Sequence, residues 1–203
     1  MRPSLLSSSS SQRNMSEKII LASGSPRRIE LLSRITPDFI SIPSDVKEKA
    51  SGTPEEQVLT LAHNKAHNVA RQEEGIIIGA DTLVVLDGDI LGKPRSRAEA
   101  RKMLKRLSNH EHVVLTGLYV LKTESGEHKE TVEKTTVRFR TLSNEEIEAY
   151  LKTGEYVDKA GAYAIQGRAA LFVAEIIGDY FNVIGLPLCR LALLLKEIGV
   201  ELS

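Results

Sequence analysis

The stretch GIIIGADTLVVLDGDILGKP, residues 75–94, decides the predicted fold. It opens with the apolar run GIIIGAD, which is typical of a short strand that is buried on both faces and which ends in Asp81. The following TLVVLDGDILGKP predicts a hairpin that turns at Asp87 and Gly88. The stretch therefore predicts a buried sheet strand, an acidic residue just past it and an antiparallel return of the chain.

Helices and further strands surround this stretch. Residues 53–72 have a strong helix start, with a threonine cap, a proline and two acids in the first turn. A basic helix is expected over about 96–107 and a capped helix from Ser143 to Leu151. HVVLTGLYVLK (112–122) and TVRFRTLS (136–143) indicate two longer paired strands. The mixture predicts an α/β (mixed α+β) protein with a mixed sheet.

Composition narrows the class of protein. The 203 residues include 27 Lys and Arg and 27 Asp and Glu, which argues against a protein that coats nucleic acid or an anionic membrane. No apolar run has the roughly 20 residues of a membrane span. The single cysteine, Cys189, cannot form an internal disulfide, so a cytoplasmic location is expected. The serine-rich residues 1–14 are predicted to be a disordered extension, and residues 15–203 a single domain.

The turn at the start of LASGSPRRIELLSRI (21–35) is unusually basic. Ser25 is a good helix cap, yet Arg27 and Arg28 follow, where the helix dipole favours acids. A bound anion would complement the positive charges of this turn, because each guanidinium can donate hydrogen bonds to two oxygens and Ser23 adds a hydroxyl donor. Alternatively, the two arginines extend into water or pair with an acid elsewhere.

Lys65 and Asp81 are further candidates. Lys65 lies within the apolar stripe of its helix, so it either has a buried partner or extends to water from the edge of the stripe. Asp81 is placed as a metal ligand or general base would be in an open sheet, or as a turn residue that bonds its own backbone. Lys93 could return towards Asp81 if the hairpin folds back.

Two other segments give weaker signals. Gln166 ends the small-residue loop YVDKAGAYAIQG (156–167), and its amide offers a donor and an acceptor that could recognise the edge of a base. The basic run from Arg95 to Arg106 is predicted to be a solvated helix face. Nucleic-acid binding is disfavoured, because aromatic residues do not alternate with these charges.

Taken together, several ordered motifs resemble the Maf family of nucleoside triphosphate pyrophosphatases from about Lys18 to about Ile198. They are LASGSPRRIELL, PSDVKE, NKA, GADTLVVLDGDILGKP, RLSNHEH, FRTLSNEEIEAY and DKAGAYAIQG. The resemblance implies hydrolysis between the α- and β-phosphates with a divalent cation, Mg²⁺ or Mn²⁺. It also implies a twisted mixed sheet flanked by helices with a long central cleft, an architecture shared with inosine triphosphatases, and a homodimer.

The same resemblance implies roles for individual residues. Asp81 would accept the proton of the attacking water, with Glu48 helping the metal or the water, although Lys47 stands where the family usually has another acid. Lys65 and Lys93 would face the phosphates. The residues at positions that set base choice are Arg27, Thr82 and Gln166.

This combination looks like the branch that acts on dTTP and UTP. Two alternatives stay open at this point. One is a pyrophosphatase that prefers purines, such as methylated GTP or ITP. The other is a regulator of cell division that binds nucleotide or nucleic acid without turnover. No residue is assigned as a metal ligand from the sequence.

Overall fold

The computed structural model describes residues 18–47 and 49–202. Glu48 and the predicted extension over residues 1–14 therefore lie outside the described residues, and the single domain over 15–203 stays a prediction. Within the described part of the chain, no helix is long and apolar enough to cross a membrane.

One mixed sheet organises the described residues. Its seven strands are β1 Ile19–Leu21, β2 Phe39–Ser41, β3 Ile76–Leu86, β4 Asp89–Leu91, β5 Glu111–Lys122, β6 His128–Phe139 and β7 Val173–Ile177. They follow the order β2-β1-β3-β5-β6-β7, with β4 paired to β3 beside this path. Strands β1 and β2 and strands β1 and β3 run parallel, and the other pairs are antiparallel. The predicted mixed sheet is thus confirmed.

The helices predicted to follow Ser25, Thr53 and Ser143 begin directly after those residues. Reciprocal capping boxes are present at Thr53 with Glu56 and at Ser143 with Glu146. Short 3₁₀ turns cover Ala160–Ala162 and Arg168–Phe172. The helices are α1 Pro26–Ser33, α2 Pro54–Val69, α3 Arg97–Leu107, α4 Asn144–Leu151, α5 Tyr180–Ile184 and α6 Leu188–Glu197.

Helix α2 packs unusually close to the sheet. On one face of the sheet, α2 packs against the strands through a small apolar cluster. The larger apolar cluster lies on the other face and includes residues of the remaining long helices. A Cβ atom on Gly79 of β3 would lie 2.1 Å from the Ala62 carbonyl oxygen, and one on Gly117 of β5 would lie 2.4 Å from the Val58 carbonyl oxygen. The close approach of α2 therefore requires glycine at both strand positions.

One prediction about the strands is wrong. Asp81 does not follow a strand, because β3 continues through it to Leu86, with β5 paired along Ile76–Val85. A local apolar pattern does not distinguish a strand end from a strand that gains a partner further along.

Candidate active site

A gap in the sheet creates the site. Strand β5 occupies one edge of β3, so β1 and β4 must both pair with the opposite edge. Strand β1 pairs with residues 76–78 and β4 with residues 84–86. Between them, residues 79–83 have no partner strand on this edge in the described part of the sheet. Because adjacent side chains point to opposite faces, Asp81 and Thr82 can line one opening from both sides.

A cavity of about 1080 Å³ lies at this gap. Its described lining contains seven cationic and two acidic residues, so its charge is strongly positive. The cationic residues are Arg27, Arg28, Lys49, Lys65, Lys93, Arg95 and Lys159, and the acidic residues are Asp81 and Asp158. The cavity also includes Ser23, Thr82 and Gln166. Every predicted site residue that the structure describes thus lines one cavity, whereas Glu48 lies outside the described residues.

An ion pair lies inside the cavity. The Lys65 Nζ atom is 2.6 Å from Asp81 Oδ1, and both residues are 7% exposed. Lys65 therefore has a buried partner and does not extend to water from the edge of α2. The pair is possible because α2 lies close above Asp81, whose cross-strand neighbour is Gly117. A charged donor and a carboxylate are thereby held at the open edge of β3.

Arg28 connects three separate segments at the cavity. Its Nε donates to the Gly185 carbonyl oxygen at 2.8 Å, its Nη2 to Thr82 Oγ1 at 3.0 Å and its Nη1 to Ser23 Oγ at 3.4 Å. The Thr82 hydroxyl also contacts Thr116 Oγ1 at 3.0 Å. Arg28 therefore holds the basic turn against β3 and does not simply extend into water.

Arg27 is half-buried and interacts with the charges of Asp158 and Lys159. Burial lowers the pKa of its guanidinium below the usual value, and the charge of Asp158 opposes that shift. Burial also lowers the pKa of Lys159, and the positive charge of Arg27 contributes to the lowering. The charge of Arg27 thus disfavours the charged form of Lys159, and a bound anion would relieve this repulsion.

The segment with Gln166 is held in a strained conformation. Gly161 has φ +69° and Ala162 has φ +63°, the left-handed region that a residue with a side chain rarely adopts. The Gly161 amide donates to the Gly92 carbonyl oxygen at 3.2 Å, and the Ala164 amide donates to the Tyr150 hydroxyl at 3.1 Å. These bonds fix the segment beside the chain that leads from β4 to Lys93.

Sequence reasoning missed several residues of this site. Lys49 and Arg95 line the cavity, and the carbonyl of Gly185 orients Arg28. The sequence does offer a signal for Lys159, because this residue lies in the segment 156–167 that was selected for Gln166. It offers no signal for the Gly185 carbonyl, because every residue has a backbone carbonyl. The chemical roles of all these residues stay predictions.

The residues fit an oxygen-bound divalent cation. Among residues 18–47 and 49–202, no group of three or more His, Cys, Asp and Glu side chains could hold a metal by itself. Magnesium, however, is usually bound by one or two carboxylates together with substrate phosphates. The described lining of the cavity contains carboxylates and hydroxyls but no cysteine or histidine, the ligands that softer metals prefer.

Fold and site together define a mixed α/β protein with a strongly cationic cleft at a gap in its sheet. The family model described as Maf-like protein matches residues 18–198. The chain therefore belongs to the Maf family.

Curated relatives resemble nearly the whole chain. A protein of Carboxydothermus hydrogenoformans is 52% identical over 184 residues, which are 90% of this chain and 99% of that protein. One of Thermococcus gammatolerans is 49% identical, covering 90% of this chain and 97% of its own length. Both are named dTTP/UTP pyrophosphatase. Among solved structures, the Staphylococcus aureus Ham1 protein matches 61% of this chain and 72% of its own, with 19% identity and a TM-score of 0.45.

Proposed function

We propose that this protein hydrolyses dTTP and UTP to the nucleoside monophosphate and pyrophosphate. The observation that carries the proposal is the Lys65–Asp81 ion pair inside a cavity whose described lining has seven cationic residues. A nucleoside triphosphate has about four negative charges, so its phosphates complement this lining. The two relatives described above, which share about half of their residues with this chain, carry the name of that activity.

The chemistry needs a water, a base and neutralised phosphates. Water attacks the α-phosphorus, the bond from that phosphorus to the bridging oxygen breaks, and pyrophosphate leaves. Asp81 accepts the proton of the attacking water, which requires hydrogen-bond reach between the two. Lys65 orients the Asp81 carboxylate through their 2.6 Å contact. Arg27, Arg28 and Lys93 neutralise the triphosphate, because phosphoryl transfer depends mainly on positioning and charge stabilisation.

A divalent cation, Mg²⁺ or Mn²⁺, completes the proposal. Glu48, as the resemblance implies, and the phosphates of the substrate would hold it, and it would supply charge neutralisation at the α-phosphate. Removal of the cation with EDTA should abolish pyrophosphate release, and added Mg²⁺ or Mn²⁺ should restore it. A cytoplasmic location and a homodimer are also part of the proposal. Light scattering of the purified chain tests the dimer.

Pyrophosphate release from dTTP and UTP is the direct test of the activity. We expect turnover with added Mg²⁺ or Mn²⁺, and loss of turnover in Asp81→Asn. Asp38→Asn is a suitable control, because Asp38 is an exposed aspartate that does not line the cavity. A chain that binds UTP but releases no pyrophosphate with either cation would support the regulator without turnover.

A competition assay among dTTP, UTP, methylated GTP and ITP tests the base preference. We expect dTTP and UTP to be consumed first, since Arg27, Thr82 and Gln166 are present together at the cavity. Preferred consumption of methylated GTP or ITP would instead support the purine-preferring alternative and would contradict the proposed substrates, while leaving the pyrophosphatase reaction intact.

A further inference from the structure

A buried polar pair lies directly behind the cavity wall. The His112 Nε2 atom is 2.8 Å from the Tyr163 hydroxyl, and the two residues are 2% and 6% exposed. Tyr163 lines the cavity, whereas His112, on β5, is not among the lining residues. The pair thus connects the central sheet to the segment with Gln166.

Packing alone does not explain a histidine at this position. The His112 Nδ1 atom is buried and has no hydrogen-bond partner among the described residues. Burial lowers the pKa of His112 to about 4, so the ring is neutral near pH 7. A buried ring nitrogen without a partner is costly, and a phenyl ring would fill the same space without that cost. The remaining polar contact of His112, to Tyr163, therefore needs a reason other than stability.

The segment after Tyr163 supplies that reason. The preceding Ala162 has φ +63°, a strained conformation that persists only where the surroundings enforce it. The Gly161 and Ala164 amides are fixed by bonds to Gly92 and Tyr150. The hydrogen bond to His112 fixes the Tyr163 side chain. Tyr163 lies between Gly161 and Ala164 in the chain and three residues before Gln166.

We propose that His112, through the Tyr163 hydroxyl, is a positioning residue that sets where Gln166 lies and so how strongly the site distinguishes one nucleobase from another. The inference rests on the proposed function, because it assigns a source of that site's base preference. His112 acts on the cavity through another side chain, so its loss should change recognition of the base and leave the phosphate end intact.

Three variants separate positioning from stability. His112→Phe and Tyr163→Phe each remove one partner and leave the other buried without a bond. The double variant removes both polar groups, and such a replacement can be nearly neutral for stability. For the folded double variant, we expect the kcat/KM ratio of UTP over ITP to fall about five-fold, the equivalent of one lost hydrogen bond. The KM for UTP should rise while kcat stays within about two-fold.

Phe139→Leu is the matched control. The Phe139 ring packs edge-on against both His112 and Tyr163, with centroid distances of 5.0 and 4.9 Å, and it offers no hydrogen bond. This variant should lower the melting temperature and keep the UTP/ITP ratio of the wild type. An equal change of the ratio in Phe139→Leu would show that packing, not the hydrogen bond, positions the segment, and would overturn the inference.

The remaining outcomes distinguish this inference from the proposed function. If the wild type is selective for UTP and the folded double variant keeps the same ratio, the inference is wrong and the proposed function stands. If the wild type releases no pyrophosphate, the proposed activity is wrong. Calorimetric affinities for UTP and ITP then replace kcat/KM, and an unchanged affinity ratio in the double variant would overturn the inference as well.

Discussion

Lys65 and Asp81, 16 residues apart in the chain, meet at 2.6 Å in a buried ion pair between α2 and β3. The contact depends on the closeness of the helix to the sheet, because Gly79 and Gly117 leave no side chain between them. It places the only acidic side chain of β3 at the gap between β1 and β4.

Asp81→Asn tests the proposed base. The amide cannot take the proton of water, so kcat should fall by at least about a hundred-fold, whereas the Kd for UTP should change little. Pyrophosphate release and calorimetric binding measure the two quantities, and circular dichroism checks folding, because Lys65 loses its charged partner. A variant with nearly the full rate would remove Asp81 from the role of base.

Gly117→Ala tests the close packing of α2. A methyl group there would lie 2.4 Å from the Val58 carbonyl oxygen and 2.5 Å from its carbon, so the helix must move away. We expect the free energy of unfolding to fall by about 1–3 kcal/mol and kcat to fall as Lys65 separates from Asp81. Urea titration measures the stability.

Gly92→Ala is the stability control for that variant, since no heavy atom lies within 4 Å of its added Cβ. Its free energy of unfolding should stay at the wild-type value. Equal stability of Gly117→Ala and the wild type would contradict the view that glycine is required at position 117.

Gln166→Leu tests base recognition. Loss of the amide should reduce the preference for UTP over ITP by about ten-fold, since a base edge would lose its hydrogen-bond partner. Gln166→Glu keeps the size and the acceptor but loses the donors, so it separates the two halves of the amide. Loss of affinity for all triphosphates by the same factor would contradict a role in reading the base.

His112 makes stability depend on pH. Burial lowers the pKa of the folded-state imidazole from 6.5 to about 4. Between these values the unfolded chain binds the proton and the folded chain does not, so stability falls as the pH falls from 6.5 towards 4. When the pH falls from 7 to 5, the His112 imidazole should lower the free energy of unfolding by about 2 kcal/mol.

Urea titrations at the two pH values check this effect. His112→Phe should lose that part of the pH dependence, and His110→Phe, at an exposed histidine, should keep it. The same slope in wild type and His112→Phe would show that other groups cause the effect.

Some elements differ from what their local sequence patterns predict, because contacts with distant parts of the chain decide them. The apolar run before Asp81 predicted a strand end, but β3 continues because β5 pairs with its other edge along Ile76–Val85. Capping was predicted correctly at Ser143, where the partners are three residues apart. At Ser25, the predicted cap has no side-chain hydrogen bond, and its amide donates to Ser23 Oγ at 3.2 Å.

The sequence by itself determined the mixture of strands and helices, the starts of α2 and α4, and a set of charged and polar candidates from Ser23 to Gln166. These features follow from periodicity and from contacts within a few residues. Only the tertiary structure decided that Lys65 is buried against Asp81, that Arg28 holds Thr82, and that the sheet opens between β1 and β4. Those relationships depend on which distant strands share an edge and on how closely a helix can approach a sheet, and no local pattern contains either distance.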